Sequence, residues 1–449
     1  MTLLVISPDY ASHLLPLAAL ATAWREAGER VVVASGPATA GIVSSFGYER
    51  EELQLGRGSN PGVIRAEQQV VEEGASLRGF FDATRQGMIA TLEYQARERL
   101  TDLMWNAVGS ARATLDVVDR IRPDAILVDH LAYSARLGLT VAGLSYGNVV
   151  LGHPTALPIA GEVYGYPPYW PAAFAPDEQE LARLRALCDE VDARFTLEWN
   201  AAASALDPAA PPVDHAFRQH GPLVLYNYPA ELADPARPVP TSVYLGGELR
   251  EEPADDVADR WAAEGEPYVY VSFGSFLSVR GDVLRRVMGA LARLGVRAAV
   301  ASGSTPVEEL GPIPEGWLVR EYLPQVRLLR RAIAIVTHGG NNSVTEAVAS
   351  GVPLLVLPFS TDQFAGAAAI ERAGIGVALD PNAASVDDLT DAMRALLADG
   401  AGGADGAVGK VAAIAAALRQ EPGPLRARSA LGASPTSEAI PDGSPATLR

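Results

Sequence analysis

Lysine is almost absent from this sequence: its 36 basic residues include a single lysine, Lys410, and the rest are arginine. Schiff-base chemistry and lysine-dependent phosphate loops are thereby excluded unless that one position supplies them. Cysteine is equally scarce. With Cys188 alone there is no disulfide framework and no multi-cysteine zinc or iron–sulfur site, and a reducing, cytoplasmic setting is expected. Positive charge is short overall. A formal net charge of −18 repels phosphodiester backbones and anionic membrane surfaces, so nucleic acid is not an expected partner. The opening Met1-Thr-Leu-Leu-Val-Ile-Ser7 lacks a basic n-region and is too short for a signal h-region or a membrane span. It reads as a first buried strand.

What is present is a globular composition, 48% hydrophobic and 20% charged, over 449 residues. That length calls for two cores, and two cores imply a cleft. Short apolar runs alternate with longer amphipathic ones, the pattern of βαβ units around parallel sheets. Strands are expected at 3–6, 30–34, 125–128, 139–144 and 223–226, and again at 268–273, 297–301, 317–320, 333–337, 353–357 and 376–378. Helices are expected at 15–27, closed by Gly28, at 282–294, capped by Asp282, and at 342–350 and 386–397. Two such arrays without a short repeat give an α/β chain of two facing, Rossmann-like, doubly wound parallel-sheet domains. The expected division is a first domain at 1–235, a linker rich in Pro, Glu, Asp and Ala at 236–262, a second domain at 263–400, a helical segment at 401–432 and a disordered tail at 433–449. Residues 56–120, with Phe80, Phe81, Met88, Leu92, Leu103, Met104 and Trp105, and the aromatic, proline-rich stretch 154–170 exceed what a βα loop needs. Such insertions either line a binding site or form satellite cores.

The stretch Thr337-His-Gly-Gly-Asn-Asn-Ser-Val-Thr-Glu346 directly follows an apolar strand. Strand, glycine-rich turn, then helix start aims free backbone N–H groups and a helix dipole at an anion, so a diphosphate can be held here without lysine. Gly339 and Gly340 permit close approach, and Asn342 and Ser343 add side-chain donors. Glu346 falls one turn beyond Ser343, placed to accept from a ribose hydroxyl, although the same pair reads as a Ser-x-x-Glu capping box. A second buried strand runs to Pro358 and presents Asp362 and Gln363 beyond its carboxyl end, the edge where open α/β sheets bind ligands. Together they suit the vicinal hydroxyls of a sugar.

From Tyr322-Leu-Pro-Gln325 through His338-Gly-Gly-Asn-Asn-Ser343, Glu346 and Asp362-Gln363, the chain resembles the family 1 nucleotide-sugar glycosyltransferases of GT-B fold. That family includes plant UDP-glycosyltransferases and bacterial natural-product glycosyltransferases. The resemblance implies a donor set in which Tyr322 and Leu323, with Gln325 beside them, lie at the nucleotide base. It places His338, Gly340, Asn342 and Ser343 at the diphosphate, Glu346 at the ribose, and Asp362 and Gln363 at the transferred sugar. The family's Phe-Gly-Ser strand end matches Phe273-Gly274-Ser275 and would put Ser275 near the phosphates or the sugar. Tyr322 and Asn341 stand where the plant motif carries Trp, closer to the bacterial branch, and a UDP or dTDP donor both remain open. The first domain would then bind the acceptor and the second the nucleotide sugar.

His13, in Ser12-His13-Leu-Leu-Pro16, is the candidate general base, because a reference pKa of about 6.5 needs little tuning. Asp129, ending the strand 125–128, could orient it from the same sheet edge; the other reading of Asp129 is a turn or cap residue. The resemblance supports the pair, since the family carries a histidine in the first loop and an aspartate roughly a hundred residues later; here Ser12 replaces the usual Gly. His153, His215 and His220 read as surface residues, and Asp255-Asp256 as exposed acids without metal-binding partners. The expected reaction is inverting, metal-independent sugar transfer from a UDP- or dTDP-sugar to a hydrophobic acceptor of polyketide, macrolide or flavonoid type. No cofactor beyond the nucleotide-sugar co-substrate is expected, and the chain would act as a monomer or homodimer. The rival readings are a nucleotide-sugar epimerase of the same fold and a catalytically silent partner subunit.

Overall fold

The computed structural model describes residues 1–62, 71–102, 104–237, 239, 241–247, 249–399 and 403–433. Leu103 and residues 434–449 of the expected tail lie outside the described residues. Seven strands form the first sheet: β1 (Thr2–Ile6), β2 (Arg30–Ser35), β3 (Glu49–Glu52), β4 (Ala125–Asp129), β5 (Gly147–Val150), β6 (Leu223–Tyr226) and β7 (Ser242–Tyr244). Their order is β3-β2-β1-β4-β5-β6-β7, and every pairing is parallel. The second sheet holds β8 (Tyr268–Ser272), β9 (Arg297–Ala301), β10 (Leu318–Arg320), β11 (Ala332–Thr337), β12 (Leu354–Val356) and β13 (Gly376–Ala378). It runs β10-β9-β8-β11-β12-β13, again all parallel.

This topology positions the site. Strand order reverses between β1 and β4 in the first sheet and between β8 and β11 in the second. Doubly wound sheets open a crevice beyond the carboxyl ends of the strands at such a switch point. His13 lies in the helix after β1, and Asp129 ends β4, which pairs with β1 through Ile6 and Val128. Ser275 follows β8 and His338 follows β11. The central strands bury both faces, Leu3 to Ile6 being fully buried, which is why they read as unbroken apolar runs.

Four expectations need correction. The apolar run at 139–144 is no strand: Tyr133–Val141 is a helix buried on nearly every side, and a short, wholly buried helix has no polar face to reveal its period. Helix 15–27 is two helices, Ala11–Leu20 and Thr22–Glu26, with Pro16 inside the first; Gly28 does follow them with φ +73°. Asp282 is not the cap of Gly281–Arg293, where Arg280 takes that position and Asp282, in the first turn, accepts from its Nε and Nη2 at 2.8 and 2.7 Å. Finally, the segment read as linker contains β7 and the helix Asp256–Ala263. Past the second sheet, helix Ala407–Gln420 is followed by Gly423–Ala433, which returns to the first domain. There Ala427 is fully buried, Arg428 pairs with Glu29 at 2.9 Å, and Leu431 lies over Gly147, where a Cβ would sit 3.3 Å from it. Among the described residues no helix is long and apolar enough to cross a membrane.

Candidate functional site

Loops from the carboxyl ends of both sheets enclose a cavity of about 680 Å³. On its first-domain wall, His13 Nδ1 stands 2.7 Å from Asp129 Oδ2. The histidine side chain keeps 23% of its surface exposed and lines the cavity, whereas Asp129 is fully buried behind it. Burial pushes the His13 pKa down, but the charge and hydrogen bond of Asp129, with a smaller contribution from Asp362, outweigh it and raise the value above 6.5. Asp129 is itself costly to bury, yet His13 and His130 hold its carboxyl well below the usual range. Its second oxygen accepts from the Leu131 amide at 2.8 Å, so the carboxylate is fixed on two sides. With Nδ1 donating to Asp129, the ring leaves Nε2 as its acceptor nitrogen.

The second-domain wall is built around the helix Asn341–Ser350. Gly340 is its N-cap, with no side-chain cap, and the first intrahelical bond joins the Val344 amide to the Gly340 carbonyl. The amides of Asn341, Asn342 and Ser343 thus stand outside the helical ladder beside the cavity, as an anion site requires. The capping-box reading fails, because Ser343 is already the third residue of the helix. His338 is wedged between two glycines: a Cβ on Gly274, where φ is +66°, would lie 2.7 Å from its ring, and one on Gly340 would overlap Nε2. Burial lowers its pKa to about 4, although a hydrogen bond to the Ser272 backbone works against this, so the ring is neutral at pH 7.

The remaining candidates separate by position. Ser275, Tyr322, Leu323, Gln325, Asp362 and Gln363 line the same cavity. Three donor-set residues reach across the cleft: the Asn342 side chain donates to the Ser12 carbonyl at 2.8 Å, Ser275 accepts from Asn60 at 3.3 Å, and Asp362 accepts from the His153 amide at 2.6 Å. Asp362 follows Thr361, a non-glycine residue at φ +52°. Gln363 turns its amide oxygen back to the Phe359 and Ser360 amides, at 3.0 and 3.2 Å. Tyr322 is an exposed rim residue, while Leu323 is buried.

Glu346 differs from the other candidates. It is buried and not part of the cavity wall; Gln325 donates to its Oε2 at 2.5 Å, and Arg250 forms an ion pair with Oε1. Arg250, which sequence reasoning missed, comes from the segment read as linker and also holds Glu252 at 2.9 Å. No signal in Glu248-Leu-Arg250-Glu-Glu252 separates this arginine from its acidic neighbours. His153 was misread as well. It is buried, donates or accepts at Thr155 Oγ1 (2.8 Å), packs edge-on to Tyr228, and burial drops its pKa to about 3. His215 pairs with Asp192 at 2.8 Å, and His220 with the Gly221 carbonyl at 2.7 Å. Asp255 caps its helix by accepting from the Ala258 amide and pairs with Arg320. The insertions divide as the two readings allowed: Phe80, Tyr164 and Tyr166 face the cavity, while Phe81 and Leu92 are buried in satellite clusters, against one of which Met88 and Met104 pack.

A family model for UDP-glucoronosyl and UDP-glucosyl transferase matches residues 191–402. The zeaxanthin glucosyltransferase of Pseudescherichia vulneris is 25% identical over 405 residues, covering 88% of this chain and 90% of that protein. Among solved structures, the glycotransferase of kitacinnamycin aligns with a TM-score of 0.65 at 22% identity, over 95% of this chain and 97% of the other. Glycosyltransferase VinC in complex with DTDP aligns with a TM-score of 0.66 at 17% identity, over 96% and 98%. With two parallel sheets facing one cleft and the glycine-rich motif on its second wall, the chain is a glycosyltransferase of GT-B fold, similar over residues 191–402 to the UDP-glucoronosyl and UDP-glucosyl transferases.

Proposed function

We propose that the chain transfers a sugar, with inversion at the anomeric carbon, from a UDP- or dTDP-linked donor to a hydrophobic small-molecule acceptor of natural-product type. One observation carries the reading: the Asp129-held His13 and the uncapped start of helix Asn341–Ser350 open onto one cavity from opposite walls. His13 Nε2 takes the proton of the acceptor hydroxyl as its oxygen bonds to the anomeric carbon. The bond from that carbon to the β-phosphate oxygen breaks, and the diphosphate departs with the electron pair. Free amides at 341–343, beside His338, meet the charge that develops there. With no lysine in the site, these dipoles stand where a cation would otherwise be needed, and transfer is expected to run without added metal. Leu77, Phe80, Leu131 and Tyr166 on the first-domain side favour an apolar acceptor. The kitacinnamycin and zeaxanthin names of the similar proteins are in keeping with such acceptors.

The test is His13→Ala assayed with UDP- and dTDP-sugars against a panel of polyketide, macrolide and flavonoid alcohols, with products identified by mass spectrometry. Transfer should fall by about 10²- to 10⁴-fold while UDP or dTDP affinity is unchanged. Wild-type rates in the variant would remove His13 from the mechanism.

A further inference from the structure

Two arginines line the cavity, Arg99 and Arg250. Arg250 is neutralised by Glu252 and Glu346. Arg99, on helix Met88–Asp102, forms no ion pair with a carboxylate of the described residues. Glu98, its neighbour on that helix, accepts instead from the Ser76 hydroxyl.

The Arg99 guanidinium has a built seat. Its carbon lies 4.7 Å from the centroid of the Tyr164 ring, and Tyr164 stacks on Phe217, which stacks on Phe195, each pair of centroids 4.0 Å apart and within 16° of parallel. Tyr133 braces this column, meeting all three rings edge-on. On the flank, Gly165 makes room: at φ +85°, a Cβ there would lie 2.6 Å from Arg99 Nη1. A planar cation is thus held at the cavity wall by a ring face and a missing side chain, with its donor edge forming no ion pair among the described residues. A half-buried guanidinium in that state is short of hydrogen-bond acceptors, and a carboxylate satisfies its fork geometry better than any neutral group.

We propose that Arg99 is an anion subsite of the acceptor pocket and that the acceptor carries a carboxylate on a flat, largely apolar body. This rests on the reading of the first-domain wall as the acceptor side. The carboxylate accepts from the guanidinium, the body lies along Tyr166 and Phe80, and the nucleophilic hydroxyl is directed to His13 at the other part of the same cavity.

The test is equilibrium binding by calorimetry, with UDP present, of 4-hydroxycinnamate and 3-hydroxy-2-naphthoate against their methyl esters. In the wild-type chain the acids should bind about tenfold tighter than the esters. Arg99→Gln should abolish that preference with UDP affinity retained as the folding control, and Arg99→Lys should keep part of it. Gly165→Ala, which displaces the guanidinium from its seat, should weaken the preference independently, so the inference stays testable if Arg99→Gln does not fold. Esters binding as tightly as acids, no binding of either, or an acid preference that survives in both Arg99→Gln and Gly165→Ala overturns it. Binding is read without turnover, which separates the two proposals. Acid preference without sugar transfer sinks the reaction assigned above, and transfer without acid preference sinks the subsite alone.

Discussion

At the scale of single residues, His13 is governed by opposing influences whose balance sets a pH profile. Burial lowers its pKa and Asp129 raises it further than burial lowers it, so the net value lies above 6.5. A general base must be unprotonated, and kcat/KM should therefore climb with pH through an inflection above 6.5. In Asp129→Asn the raising charge is gone while burial remains. The inflection should move to lower pH, and the plateau should drop about 10²-fold or more because the tautomer is no longer fixed. An inflection that stays put in that variant would show that another group controls the limb. His338 contributes differently. Burial lowers its pKa to about 4, so it is expected to act as a neutral ring whose position Gly274 and Gly340 secure. Gly340→Ala should push the ring against the helix start and weaken UDP or dTDP binding by about tenfold or more, because the free amides that follow Gly340 are displaced with it. Unchanged affinity in a titration would refute that role.

At the scale of elements, the second-domain wall of the cavity combines a helix start with a residue from a distant segment. Arg250 neutralises two carboxylates, Glu252 and Glu346, whose side chains are 2% and 5% exposed. Arg250→Met strands both in the interior and should cost about 3 kcal/mol of stability, measured by urea unfolding; a loss below about 1 kcal/mol would mean that water reaches the pair. Elements differ in how far they could be read from sequence for the same kind of reason. The central strands β1, β4, β8 and β11 are buried on both faces, so composition alone marked them, and with them the loops that carry His13 and His338. Edge strand β3 is Glu-Arg-Glu-Glu and β7 is three half-buried residues, patterns that no apolar run announces. Strand β5 opens with Gly147-Asn148, chosen by the close approach of Leu225, Leu127 and Leu431 to the glycine, a tertiary demand invisible locally. The motif around residue 340 was legible because glycine and helix start are neighbours in the chain. Arg99 and Arg250 were not, since their roles depend on which carboxylates the fold brings near them and which it keeps away.

At the scale of the molecule, the two halves are joined by more than one set of contacts. In one set, Arg280 and Asn382 both donate to the Thr84 carbonyl, at 2.9 and 3.0 Å, and Asn60 donates to Ser275. In the other, the chain crosses twice, outward after β7 and home again before Gly423–Ala433, and the passages touch: Leu418 packs on Gly246, and a Cβ on Gly423 would lie 2.7 Å from the Leu245 carbonyl oxygen. Removing residues 422–449 deletes the return passage and uncovers Gly147 and Glu29. The truncated chain should melt at a lower temperature and lose transfer more than UDP affinity, because the second sheet keeps its own donor wall; an unchanged melting temperature would argue against any clamping role. Two adjacent strands of polypeptide restrain relative rotation as a pair of pins restrains a lid. One pin would leave swivelling free, whereas two side by side restrict it, so relative motion of the halves is expected to be a swing that parts Thr84 from Arg280 with the seam at residue 245 shut.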